Sequence, residues 1–137
     1  IILIASMISV VWMGCGEHQV GYLRHDSAEY RPDSLIIRAT LNPADPEDSV
    51  RIAEQEPWQS SEIDGVQGSA HIYYGIADVR SDNGYDNAKS QFTTIGKGII
   101  QVEYNHTLPV GKYVVDIEIW NEGNSVIKNA IYKVIVE

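Results

Sequence analysis

The chain offers few residues in patterns that do chemistry. Its four histidines, His18, His25, His71 and His106, fall in four separate segments. Covalent catalysis needs a nucleophile beside a base, and acid–base catalysis needs two groups whose environments differ. No Gly-x-Ser-x-Gly, phosphate-cradling glycine loop or His-Glu-x-x-His string occurs. The residue pattern therefore points away from an enzyme and calls for no cofactor. The acidic stretch DVRSDNGYD, residues 78–86, brings Asp82, Asn83 and Asp86 close together, and their hard oxygens suit calcium. Arg80 sits among these acids and the spacing fails the EF-hand pattern. A solvated hairpin turn at Asn83-Gly84 is the preferred reading, and no metal site is expected. Aromatic residues offer a different chemistry, because sugars are held by ring stacking beside polar groups that fix their orientation. Trp58, Tyr85 and Trp120 are the candidates for glycan contact. Trp58 follows Pro57 in an apparent loop, Tyr85 lies in the acidic stretch, and Trp120 falls on the polar face of its strand. Core packing or sheet cover is the alternative for each.

The lone cysteine has a context of its own. Residues 1–14 (IILIASMISVVWMG) carry no charge and eleven of them are apolar, while all ten bases and nineteen acids follow Cys15. Such a run is too short for a bilayer, which takes about 20 residues. It fits the apolar region of a secretory signal, about 7–15 residues closing on small ones. A buried core helix is the alternative, although the amphipathic pattern is poor and Val10-Val11 interrupts it. Without an initiator Met or a basic flank, the leader reads as truncated. The junction Gly14-Cys15-Gly16 resembles a bacterial lipobox, with Trp12 where that family prefers Leu. The resemblance implies lipidation of Cys15 and a protein tethered at the outer membrane or cell surface, or on the periplasmic face. The competing reading makes Cys15 an ordinary small apolar residue. One cysteine cannot form an intramolecular disulfide. A net charge of −9 argues against a nucleic-acid partner, because phosphate contact takes clustered Lys and Arg. Residues 15–32 read as the modified cysteine and a polar tether, leaving residues 33–137 as one domain.

The elements that must position these side chains are mostly strands. Period-two alternation marks residues 34–41, 71–77, 90–94, 98–104, 112–120 and 130–136. In the fifth, Tyr113, Val115, Ile117 and Ile119 face one way while Asp116 and Glu118 face the other. In the last, Ala130, Tyr132, Val134 and Val136 share a face. Polar residues on the second face imply half-buried antiparallel strands. One short helix is expected at 46–54, with Asp45 as N-cap and Pro46 at the first position; a strand through 50–53 competes. Six or seven short strands divided by turns such as Glu122-Gly123-Asn124 give an all-β, antiparallel sandwich.

Residues 92–137 resemble the end of a cadherin-like or PKD-like immunoglobulin-type domain. The resemblance rests on Phe92, Gly98-Ile99, the corner Leu108-Pro109-Val110-Gly111, Tyr113 and Ala130-Ile131-Tyr132. It implies a tyrosine whose hydroxyl bonds back across the corner. The acidic calcium signatures of cadherin repeats are absent from the sequence, so calcium bridging does not carry over. Lipobox-like cysteine, tether and sandwich together resemble small lipoproteins of the Bacteroidetes, as does the stretch PWQSSEIDGVQGSAHIYY (residues 57–74). Three Asp-Ser-apolar triplets, centred on Ser27, Ser34 and Ser49, look like the O-glycosylation motif of exported proteins in that group, or like turn and cap chemistry. The expectation is a non-catalytic binding or spacer module of the cell envelope. The alternatives are a carbohydrate-binding accessory protein of a glycan-uptake system and an adhesin or structural surface component. A glycan or another envelope protein is the implied partner.

Overall fold

The structure is a computed structural model and describes residues 21–137. Among the described residues, nine strands form three sheets. A four-stranded sheet has the order β2 (Ser34–Ile37), β9 (Asn124–Val136), β8 (Gly111–Asn121), β5 (Tyr73–Ser81). A three-stranded sheet runs β3 (Trp58–Gln59), β7 (Ile99–Val102), β6 (Phe92–Ile95), and β1 (Leu23–Arg24) pairs with β4 (Gln67–Gly68). The two larger sheets enclose the core, an all-β sandwich as the alternation predicts. Val115, Ile117, Ile119, Tyr132, Val134 and Val136 come from one sheet, and Phe92, Ile100 and Val102 from the other. Burying side chains of this size contributes about 1.5–3 kcal/mol each, before the entropy of ordering them.

The helix α1 (Pro46–Glu54) occupies the expected residues, and the Asp45 carboxylate accepts the N–H groups of Glu47 and Asp48. The corner also forms as expected: the Tyr113 hydroxyl donates to the Pro109 carbonyl at 2.6 Å. Four features differ from the sequence reading. β2 pairs in parallel with β9, where an all-antiparallel arrangement was expected. Asn83-Gly84 does not close a hairpin; β5 crosses to the other sheet through this loop and a 3-10 turn at Ala88–Gln91. Asn83 is drawn into the corner, its amide nitrogen donating to the Val110 carbonyl and the Tyr113 hydroxyl. β9 starts six residues earlier than its alternation suggested, because Asn121 pairs with Asn124 across a tight hairpin.

The fourth difference is at Asp116 and Ala130. Both neighbours of β8 bulge there: Ala77 is an extra residue on β5, and residues 129–131 stand opposite Asp116 on β9. Ala130 takes φ 53° and is exposed, so it leaves the face it was expected to share with Tyr132. Asp116 is 3% exposed although it lies on the polar face of its strand. Its carboxylate accepts the Ala130 N–H at 2.7 Å and pairs with Arg80. A bulge leaves a backbone donor without a ladder partner, and this carboxylate supplies one.

Of the expected tether at residues 15–32, the part from Leu23 onward belongs to the folded body. Leu23 and Arg24 pair with β4, Glu29 bridges to Asp64, and Tyr30 is 2% exposed. Among the described residues, no helix is long and apolar enough to cross a membrane.

Candidate functional site

The glycan-contact candidates separate into two places. Trp120, near the end of β8, stands directly opposite Tyr73 at the start of β5. The two rings stack nearly parallel, 19° apart with centroids at 5.6 Å, and His71 meets Tyr73 edge-on at 4.7 Å. His71 lies just ahead of β5, two residues before Tyr73. Gly75 completes the arrangement: a Cβ there would lie 3.2–3.3 Å from the six-membered ring of Trp120, so the absence of a side chain lets the indole lie against the sheet. The result is an aromatic row on the outer face of the four-stranded sheet, with Tyr73 49% exposed.

Trp58 and Tyr85 lie at the opposite end. Trp58 is half-buried under the Arg51 guanidinium, 3.6 Å from its ring centroid, and its indole nitrogen is buried without a partner. Arg51 is held there by the carbonyls of Glu56 and Pro57. The ring face is therefore occupied by a cation of the chain itself. Tyr85 is half-buried and its hydroxyl accepts from the Gln91 amide. Neither joins the Trp120 row.

Beside the row opens a cleft of about 600 Å³, lined among others by Tyr22, Gln67, His71, Ile72, Tyr74 and Lys97. Three pieces of chain build it: the small β1–β4 sheet, the start of β5, and the β6–β7 hairpin tip. Asn121, 6% exposed, ties the small sheet down by donating to the carbonyls of Tyr22 and Ser69, while its own Oδ1 is buried without a partner. The Thr94 hydroxyl donates to the Tyr74 carbonyl at 2.8 Å and fixes the β5–β6 wall. Burial raises the Tyr74 phenol above its ordinary value, and Glu62 adds to the effect. His71 belongs both to this lining and to the aromatic row, which makes the two surfaces continuous.

The remaining expected sites are scattered. Ser27 and Ser49 are exposed, in the loop after β1 and on α1, and Ser34 is half-buried at the start of β2. Cys15 lies outside the described residues. No group of three or more His, Cys, Asp or Glu among the described residues could hold a metal ion. Asp82 and Asn83 spend their oxygens on the N–H groups of Lys112 and Tyr85.

Sequence reasoning missed His71, Tyr73 and Lys97. The alternation of His71 and Tyr73 was a usable signal, but nothing local to either strand announces that Tyr73 and Trp120 share a register. No protein-family model, curated protein or solved structure matches the chain.

Proposed function

We propose that the protein is a lipid-anchored, non-catalytic module of the cell envelope that binds a glycan through the Tyr73–Trp120 face. The observation that carries this reading is the stacked aromatic pair, half exposed on a sheet and continuous with a cleft of ligand size. Binding clefts run to about 300–1,000 Å³ and combine apolar walls with a few polar groups, as this one does. Rings fixed by strand register and by the Gly75 gap are pre-ordered, which lowers the entropic cost of stacking a sugar on them. Anchoring follows from Cys15 in its lipobox-like setting, where several acyl chains would hold the protein stably.

The rival reading, an adhesin or structural component joined by strand addition, would use a free sheet edge. The β5 edge is poorly suited to it. A bulge interrupts that strand, the Tyr74 carbonyl is taken by Thr94, and the Asp78 carboxylate accepts the Val79 N–H at 2.9 Å. Devices of this kind blunt edge pairing.

A glycan array probed with the 137-residue chain, beside its Trp120→Ala variant, tests the proposal. Binding that the substitution abolishes supports it. Binding that the substitution leaves unchanged, or no binding at all, overturns it. Metabolic labelling with a fatty acid in a bacterial host, with and without Cys15→Ala, tests the anchor.

A further inference from the structure

The cleft beside His71 differs in electrostatic character from the chain as a whole. The protein has nineteen acids against ten bases, yet among the described residues neither Asp nor Glu lines this cleft, and the one Lys or Arg that does is Lys97. Lys97, like the other lysines, forms no ion pair among the described residues. Its backbone is fixed from both sides. The tip Gly96-Lys97-Gly98 turns through two glycines at φ 52° and 72°. The Lys97 carbonyl accepts the Ile63 N–H at 3.0 Å, and the Gly98 carbonyl accepts the buried Tyr30 hydroxyl at 2.5 Å. A Cβ on Gly98 would approach the Ile63 side chain to 2.9 Å, so the tip packs closely as well as turning. The backbone of an exposed lysine is thus anchored on a hairpin tip at the rim of the cleft. Gln67 and the hydroxyl-bearing Tyr22 and Tyr74 line the same space as neutral hydrogen-bonding groups. The acid that opposes them is Glu62, which acts on the Tyr74 hydroxyl.

We propose that this cleft receives the anionic group of an acidic sugar, with Lys97 as its counter-ion, while the Tyr73–Trp120 pair stacks the adjoining ring. The inference rests on the glycan reading above and adds the chemical class of the ligand. Carboxylated and sulfated sugars share the anion, and the choice between them is left to the probes.

The test is calorimetry on the full chain at low and high salt. The probes are oligogalacturonate and oligomannuronate, the methyl ester of each, and a sulfated galactan oligomer. The free acids are expected to bind about tenfold more tightly than the uncharged esters, with an advantage that shrinks as salt rises. Lys97→Met removes that advantage and leaves ester affinity unchanged, while Glu62→Gln strengthens acid binding severalfold. Lys97-dependent binding of the sulfated galactan makes the anion itself the determinant; its failure beside a bound free acid narrows the ligand to carboxylates. Equal affinity for acid and ester, or an advantage that survives Lys97→Met, overturns this inference. The glycan reading then stands if Tyr73→Ala still abolishes ester binding. No affinity for any of the probes overturns the inference as well. Both charge substitutions are at exposed positions, and an unchanged melting temperature confirms that each variant is folded.

Discussion

At the end of the sandwich where β8 begins, polar side chains are turned onto the chain's own backbone. Tyr113 and Asn83 bond the Pro109 and Val110 carbonyls, Asp82 takes the Lys112 N–H, and Asp48 takes the Asn42 N–H beside Arg38. At the end where β8 finishes, the side chains of His71, Tyr73 and Lys97 make no hydrogen bond or ion pair among the described residues, and Asn121 buries an unpartnered oxygen. A polar group without a partner costs stability when it is buried. Each end carries one such atom, Trp58 Nε1 at the first and Asn121 Oδ1 at the second; what separates them is that the first end is closed by side chains bonded to backbone, while the second leaves exposed side chains open to solvent.

This contrast predicts that damage at the two ends reads out differently. The largest effect is expected for Leu108→Ala. Leu108 is 2% exposed at the corner, and its truncation should cost about 2–5 kcal/mol in denaturant unfolding without changing glycan specificity. Tyr113→Phe comes next, at about 1–2 kcal/mol, because it removes the donor to the Pro109 carbonyl and one of the two acceptors of the Asn83 amide. Tyr73→Ala should change stability by less than about 1 kcal/mol, since its ring is half exposed, yet abolish binding on the array. Loss of folding in Tyr73→Ala, or loss of binding in a folded Tyr113→Phe, would erase the distinction between the ends.

The smallest effect concerns pH. His106 Nε2 lies 2.8 Å from the Arg38 carbonyl, and Nδ1 accepts the Leu108 N–H, a geometry that suits the neutral ring. Burial lowers its pKa below the ordinary 6.5, against the opposing pull of the Arg38 carbonyl. The unfolded chain therefore takes up this proton first as pH falls. The stability contributed by neutral His106 is complete above pH 6.5 and is lost as pH drops toward the lower folded value. In His106→Gln the unfolding midpoint should vary less with pH over that window than in the parent chain. An unchanged pH profile would remove His106 from the closed end.

Much of the closed end was legible in the sequence because its signals are local. Asp45-Pro46 marks a helix start within two residues, and Leu-Pro-x-Gly-x-Tyr places a hydroxyl four residues from the carbonyl it bonds. The Tyr73–Trp120 end was mostly illegible because it depends on register between distant segments. Trp120 and Tyr73 are 47 positions apart in the sequence, and only strand pairing brings them together. The bulges at Asp116 show the same limit. Alternation alone sends Ala130 inward, whereas a carboxylate on the neighbouring strand turns the backbone there and moves it out. Two-residue strands such as β1, β3 and β4 are too short to show any period.

The parallel pairing of β2 with the last residues of β9 has a consequence for the order of assembly. Ser34–Ile37 finds its partners at residues 133–136, and the Ala39 N–H reaches the Glu137 carbonyl. Ile37, wholly buried, thus has no strand to lie against until some hundred later residues have been made. A chain emerging from the ribosome cannot seat its first core strand until Val136 has emerged. Closing a loop of that length also makes folding slow. Removing the final four or five residues would release the first core strand together with the last.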